Sequence, residues 1–98
     1  MSKMDLFANQ KWYKDKETKE ETFVGVLAKA ERQAVGFGRF NPYTLTLDKQ
    51  VREVFVGKKT TMLDNFVGKK VKIVGKPISM EVEGREHCEI WPAAVELA

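Results

Sequence analysis

The sequence predicts a small, mostly β domain in which five strands and one short helix follow one another in the order β-β-β-α-β-β. From residue 22 onwards, runs of β-branched and aromatic residues recur along the chain, and such runs are typical of strands. Glycine, proline and aspartate separate the runs, as turns require. The tetrapeptide Val-Gly-Lys-Lys occurs at 56–59 and again at 67–70. The segment between the two copies is long enough for about two helical turns.

The first three strands are predicted at 22–30, 43–47 and 51–56. Gly25 interrupts the first strand, which usually marks a bend or a bulge. The second strand alternates cleanly between large apolar residues and threonines, which predicts one buried and one exposed face. A long connection, 30–42, joins the first strand to the second and is rich in turn-forming residues.

The short helix is predicted within 60–66, with Thr60 or Thr61 as its cap. The fourth strand follows at 70–74, and the glycine and proline in 75–77 are expected to bend or interrupt it before it continues. The last strand begins in 86–91, where the neighbouring apolar residues predict that Cys88 is part of the core.

Composition indicates an ordinary single domain with a mild bias toward anionic partners. The apolar fraction is 43%, the charged fraction is 32%, and the formal net charge is +3. This charge is far below that of a histone-like protein and does not by itself indicate nucleic acid. Cys88 is the only cysteine, the first residues lack the apolar run of a signal peptide, and no stretch has the length of a membrane span. We therefore expect a cytoplasmic protein without an intrachain disulfide.

The first 21 residues differ from the rest of the chain and predict a charged N-terminal arm, followed by a β-barrel domain at 22–98. Five lysines and five carboxylates balance in the arm, so the whole net charge lies in the domain. Trp12 and Tyr13 are the exception in this polar segment. They are expected either to clip the arm onto the domain, which burial of large aromatics favours, or to contact a partner.

The predicted order of elements resembles the oligonucleotide/oligosaccharide-binding (OB) fold, a five-stranded Greek-key barrel with a helix between its third and fourth strands. The residues that carry the resemblance are Phe23-Val24-Gly25-Val26-Leu27 and the segment Gly68-Lys69-Lys70-Val71-Lys72-Ile73-Val74-Gly75-Lys76-Pro77. The resemblance covers residues 22–97. Segments 82–85 and 89–92 also resemble a small uncharacterised bacterial family, to which we attach no activity.

The resemblance implies a ligand face formed by the second and third strands with their flanking loops. OB domains that bind single strands stack bases on aromatic rings within a basic groove. The candidate stacking and orienting residues are Phe37, Arg39, Phe40, Tyr43, Arg52 and Phe55. Alternation leaves two arrangements of the third strand open: either Val54 and Val56 are buried and Phe55 is exposed, or Phe55 is buried.

Lysines near the two Val-Gly-Lys-Lys copies are candidate phosphate contacts, namely Lys58, Lys59, Lys69, Lys70 and Lys72. Lysines that follow a helix are favoured by its dipole, whereas Lys58 and Lys59 precede the predicted helix and gain nothing from it. The alternative is that all five are solvated charges at strand ends, which protect edges against aggregation.

No catalytic constellation is visible, and we expect a protein that is not an enzyme and has neither a cofactor nor a metal. On a strand, His87 and Glu89 share a face while Cys88 points to the other, so His87 cannot activate Cys88 as a nucleophile. One histidine and one cysteine are too few for a zinc site within one chain.

The sequence thus supports two hypotheses. The first is a non-catalytic OB-fold module that binds single-stranded nucleic acid or another extended anionic ligand. The second is a protein-interaction or structural domain, such as a homodimer, whose contact includes Trp12, Trp91 and a strand edge.

Overall fold

The computed structural model describes residues 3–29, 42–57, 61–82 and 84–98. Within these ranges the elements are, in chain order, β1 (Met4–Asp5), α1 (Lys11–Lys14), β2 (Glu21–Lys29), β3 (Tyr43–Thr46), β4 (Val51–Val54), a 3-10 turn (Asp64–Phe66), β5 (Lys70–Val82) and β6 (Arg85–Leu97).

Five of these strands close into a barrel. Strand β2 pairs with β3 on one side and with β5 on the other, β3 pairs with β4, and β5 pairs with β6, all antiparallel. A parallel pairing between β4 and β6 completes the ring. Strand β1 lies outside the ring and pairs with β6. The predicted mostly β fold with a five-stranded barrel is confirmed, and this strand order is compatible with an OB-like fold.

The barrel core contains the inward-facing residues of every ring strand. Tyr43 and Leu45 are fully buried and Leu47 packs against the same core, which confirms the predicted buried face of the second strand. In and after β4, Val54 and Val56 are buried in this core. The structure therefore decides between the two arrangements of this segment, and Phe55 faces outward.

Strand β5 is continuous through the segment that we expected to bend or interrupt it. The irregularity is instead a bulge, where the register with β6 shifts between Val74 and Gly75. Ile90 and Val95 of β6 both lie in the core, although residues five apart on a regular strand face opposite sides. The extra residue that the bulge inserts into β6 restores the correct face.

The hairpin of β5 and β6 extends beyond the barrel, and this corrects the expectation for Cys88. Past the pairing of Glu53 with Glu89, the two strands pair with each other and with no other described strand. Cys88 lies in this extension, is half-buried, and has its Sγ 3.8 Å from Ser79 Oγ. It is not part of the barrel core because the barrel ends before it.

The segment before β5 forms one 3-10 turn, Asp64–Phe66, rather than the α-helix of about two turns that we predicted. Leu63 and Phe66 of this segment are buried. The turn is short because the chain becomes extended at Val67 and then adopts a positive φ of 84° at Gly68. Thr60 lies outside the described residues, and no side chain caps the turn.

The N-terminal arm packs against the outside of the barrel. Phe7 and Tyr13 are buried in a second apolar cluster, and the Tyr13 hydroxyl donates to Glu20 Oε2 at 2.7 Å. Lys76 of β5 donates from Nζ to the carbonyl oxygens of Tyr13 at 2.6 Å and Lys16 at 2.7 Å. These bonds hold the end of α1 and the turn that follows it against β5.

Candidate ligand-binding face

The outer surface of β2, β3 and β4 carries exposed valines beside a lysine. Val26 pairs with Thr46 on one side and with Lys70 on the other, and Thr46 pairs with Val51, so these side chains form one row across four strands. Val24 lies two residues before Val26, on the same face of β2. The exposed fractions are 45% for Val24, 45% for Val26 and 62% for Val51. We call these five residues the valine face.

The valines point outward because their neighbours in sequence occupy the core. Leu27 and Leu45 are fully buried, so the pleat places Val26, Thr46 and their row on the opposite side. Gly25 keeps β2 close to β3, since a Cβ at this position would overlap the Thr46 carbonyl. The result is an open depression of about 490 Å³ lined by Val24, Gly25, Val26, Thr46, Leu47, Asp48 and Lys70.

Both positively and negatively charged side chains surround the valine face. Lys69 and Lys70 are exposed, and Lys70 lines the depression together with Asp48. Lys72 is half-buried and forms an ion pair with Glu96, with Nζ 2.8 Å from Oε1. The hydrogen bond from Lys72 lowers the pKa of Glu96 below its ordinary value. Lys70 of the valine face is thus exposed, whereas Lys72 is held by a carboxylate.

Tyr43 occupies the interior rather than the ligand face. Its ring is fully buried, and its hydroxyl donates to Asp64 Oδ1 at 2.5 Å and accepts from the Leu63 amide at 3.1 Å. Burial, together with the hydrogen bond to Asp64, raises the pKa of Tyr43 to about 12. This ring has no face available for stacking, so Tyr43 stabilises the fold.

Phe55 belongs to an outer group of four rings, which we call the aromatic cluster: Phe7, Trp12, Phe55 and Trp91. The Trp12 ring centroid lies 5.7 Å from that of Phe55 and 5.4 Å from that of Trp91, edge to face in both pairs. Phe7 lies 5.1 Å from Trp12 and 6.0 Å from Phe55. Phe55 therefore faces outward yet is half-covered by the arm.

The remaining predicted site residues are dispersed or lie outside the described ranges. Arg52 is half-buried and donates from Nε to Gln50 Oε1 at 3.1 Å. Phe37, Arg39, Phe40, Lys58 and Lys59 lie outside the described residues. Lys70 and Lys72 pair with Val26 and Val24 of β2, whereas Phe55 lies in the aromatic cluster. The ligand-binding role of these residues stays a prediction.

Sequence reasoning missed the valine face, although a signal for it was present. Residues 23–27 are apolar at nearly every position, so whichever face β2 buries, the other is also apolar. A strand of this kind is either covered on both sides or exposes an apolar surface. The alternation within Tyr43–Leu47 shows that β3 buries only one side, and β2 continues the same surface.

In the segment 87–89 the structure describes the side chains of Cys88 and Glu89. Glu89 is buried, and its Oε2 accepts a hydrogen bond from Trp91 Nε1 at 2.7 Å. Cys88 points to the opposite side of β6. Among the residues that the structure describes, no three histidine, cysteine, aspartate or glutamate side chains come together as a metal site requires.

The chain matches no family model, no curated protein and no solved structure. None of the helices in the described ranges is both long enough and apolar enough to cross a membrane.

Proposed function

We propose that this protein is a non-catalytic, OB-like binding module that holds single-stranded nucleic acid on the valine face. The observation that carries the proposal is the row of exposed Val26, Thr46 and Val51, of which Val26 and Thr46 line an open depression together with Lys70. In OB domains the outer surface of the second and third barrel strands receives oligonucleotides. In this chain those strands are β3 and β4, which supply Thr46 and Val51.

The chemistry of the valine face suits a single strand better than a duplex. Splayed bases offer apolar surfaces that valine and threonine methyl groups can contact, while Lys69 and Lys70 meet the phosphates. Asp48 limits the local positive charge, and the net charge of the chain is only +3. We therefore expect binding with a dissociation constant of roughly micromolar order at low salt, which weakens as salt is added.

The first test compares two lysines that differ in position but not in exposure. Lys70 lies on the valine face, whereas Lys19 precedes β2 at the opposite end of the strand. Lys70→Glu should weaken binding of a fluorescently labelled mixed-sequence single strand. It should also reduce the slope of log affinity against log salt concentration by about 0.7, which is the contribution of one phosphate contact. Fluorescence anisotropy titrations at several salt concentrations measure both quantities.

The control in this experiment is Lys19→Glu, which changes the net charge by the same amount. It should leave the salt slope unchanged. Equal losses for the two variants would show that only overall charge matters, and absence of binding to the wild-type protein at low salt would refute the proposed function.

Self-association is the second candidate function, since a second copy of the chain would also cover three exposed valines. It predicts a molecular mass that rises with protein concentration in analytical ultracentrifugation. Val26→Lys would then abolish the rise without unfolding the domain, because Val26 faces solvent in the monomer.

A further inference from the structure

Trp12 and Tyr13 are neighbours with opposite environments. Tyr13 is 2% exposed and fixes the arm to the barrel, whereas Trp12 is 41% exposed. If the pair served only to attach the arm, both rings would gain most by burial. Tyr13 is held against the barrel, whereas the indole of Trp12 contacts Phe7, Phe55 and Trp91 with part of its surface and exposes the rest.

The exposed indole is held in a fixed position from several sides. The carbonyl oxygens of Tyr13 and Lys16 accept hydrogen bonds from Lys76, so the turn of chain that carries Trp12 is bonded to β5. Edge-to-face contacts with Phe55 and Trp91 hold the ring in place. A large aromatic surface that is already ordered loses little entropy on binding, which favours its use as a contact.

The surroundings of Trp12 favour an anionic ligand. Lys11, Lys14 and Lys16 on the same arm are exposed, and Lys16 Nζ lies 6.0 Å from the centre of the Trp91 ring. Residues 11–17 contain three lysines and two carboxylates, Asp15 and Glu17, whereas the charges balance over the whole arm.

The aromatic cluster continues the valine face along the same segment of chain. Val51 begins β4, and Phe55 follows it by four residues on the same outer side, at a distance of roughly 13 Å along an extended chain. The Trp12 ring contacts the Phe55 ring edge to face. A single strand that crosses the valine face therefore reaches Trp12 if it follows β4 toward its C-terminal end, passing Glu53 on the way.

We propose that Trp12 is a stacking platform for one base of the single strand bound on the valine face. This inference rests on the proposed function and adds to it: the ligand must carry bases, and the N-terminal arm supplies part of the site. A polyanion without bases would meet the lysines and leave Trp12 unused.

The test compares a short mixed-sequence single strand with an abasic strand of the same length, using Trp12→Leu and Trp12→Phe. Removing one stacked ring should weaken binding of the base-containing strand by about fivefold or more. Trp12→Leu should therefore lose this factor for the normal strand and leave the affinity for the abasic strand unchanged. Trp12→Phe keeps an aromatic face and should retain most of the affinity. Thermal unfolding of each variant verifies that the barrel and arm remain folded.

The outcomes separate this inference from the proposed function. If Lys70→Glu weakens binding and Trp12→Leu does not, Trp12 is no platform and the proposed function stands. If Trp12→Leu weakens both strands equally, its effect is on the fold of the arm and the inference is wrong. If the wild-type protein binds neither strand, both proposals fail. If Trp12→Leu instead abolishes self-association, Trp12 belongs to a protein interface and the inference is likewise overturned.

Discussion

Tyr43 joins the barrel core to the segment before β5 through its hydroxyl group. The ring packs in the core, while the hydroxyl contacts the Leu63 amide and the Asp64 carboxylate. Lys29 donates to the same carboxylate, with Nζ 2.7 Å from Oδ1. The hydrogen bonds from Lys29 and Tyr43 lower the pKa of Asp64 below its ordinary value. Tyr43, which we expected to contact a ligand, therefore holds the segment before β5 in place.

Alkaline titration should reveal this role. The pKa of Tyr43 rises from 10.0 to about 12 in the folded protein. Burial, with a smaller effect from Glu20, raises the pKa of Tyr13 as well. Because both folded-state pKa values lie above the unfolded value, the stability from these groups is complete below pH 10 and is lost as the pH rises beyond it. The chain has two tyrosines, so tyrosinate absorbance should stay low near pH 10 and rise only together with unfolding.

Tyr43→Phe provides the control for this titration. It removes one of the two ionisations and the hydroxyl contacts, so the folded protein should be less stable at neutral pH. Ordinary ionisation near pH 10, in a protein that circular dichroism shows to be folded, would contradict the described environment of both rings.

At the scale of elements, the bulge between β5 and β6 determines which residues of β6 face inward. Gly75 pairs with Pro92 at this point, and a Cβ on Gly75 would overlap the Trp91 carbonyl oxygen. The neighbouring atoms are backbone and cannot move aside as a flexible side chain would. Gly75 is thus required by close approach of the strands rather than by an unusual φ.

Gly75→Ala should therefore lower the free energy of unfolding by about 1–3 kcal/mol, the usual range for overpacking. Urea unfolding followed by tryptophan fluorescence measures the change. Ser79→Ala on the same strand is the matched control, because Ser79 is exposed and such substitutions usually stay within about 0.5 kcal/mol. Equal stability of Gly75→Ala and the wild-type protein would show that the strands can separate here without cost.

The strands were predictable because local pattern determines them, and the errors arise where tertiary contacts dominate. Alternation in Tyr43–Leu47 and the β-branched runs identified β2, β3 and β4. The segment predicted as a helix is a 3-10 turn, in which Asp64 is bonded to Tyr43 and Lys29, residues distant in sequence. Cys88 was misplaced because the length of a hairpin beyond its barrel depends on where the neighbouring strands end.

At the scale of the whole molecule, the arm and the barrel form one outer surface that no single segment predicts. Lys76 of β5 contacts Tyr13 of the arm and pairs with Trp91 of β6, so three separate segments contribute to this surface. The OB resemblance indicated which strands to inspect for a ligand face. It could not show that Phe55 is covered by the arm or that Val24, Val26 and Val51 are exposed, because both depend on the packing of residues far apart in sequence.

The most direct test of the binding face is an NMR titration of the labelled protein with a short single strand at low salt. We predict that the largest changes in backbone amide shifts fall on Val24, Val26, Thr46 and Lys70, with smaller changes in the hairpin beyond Glu89. Shift changes confined to that hairpin, or no changes as the strand is added, would contradict the assignment of the valine face as the binding surface.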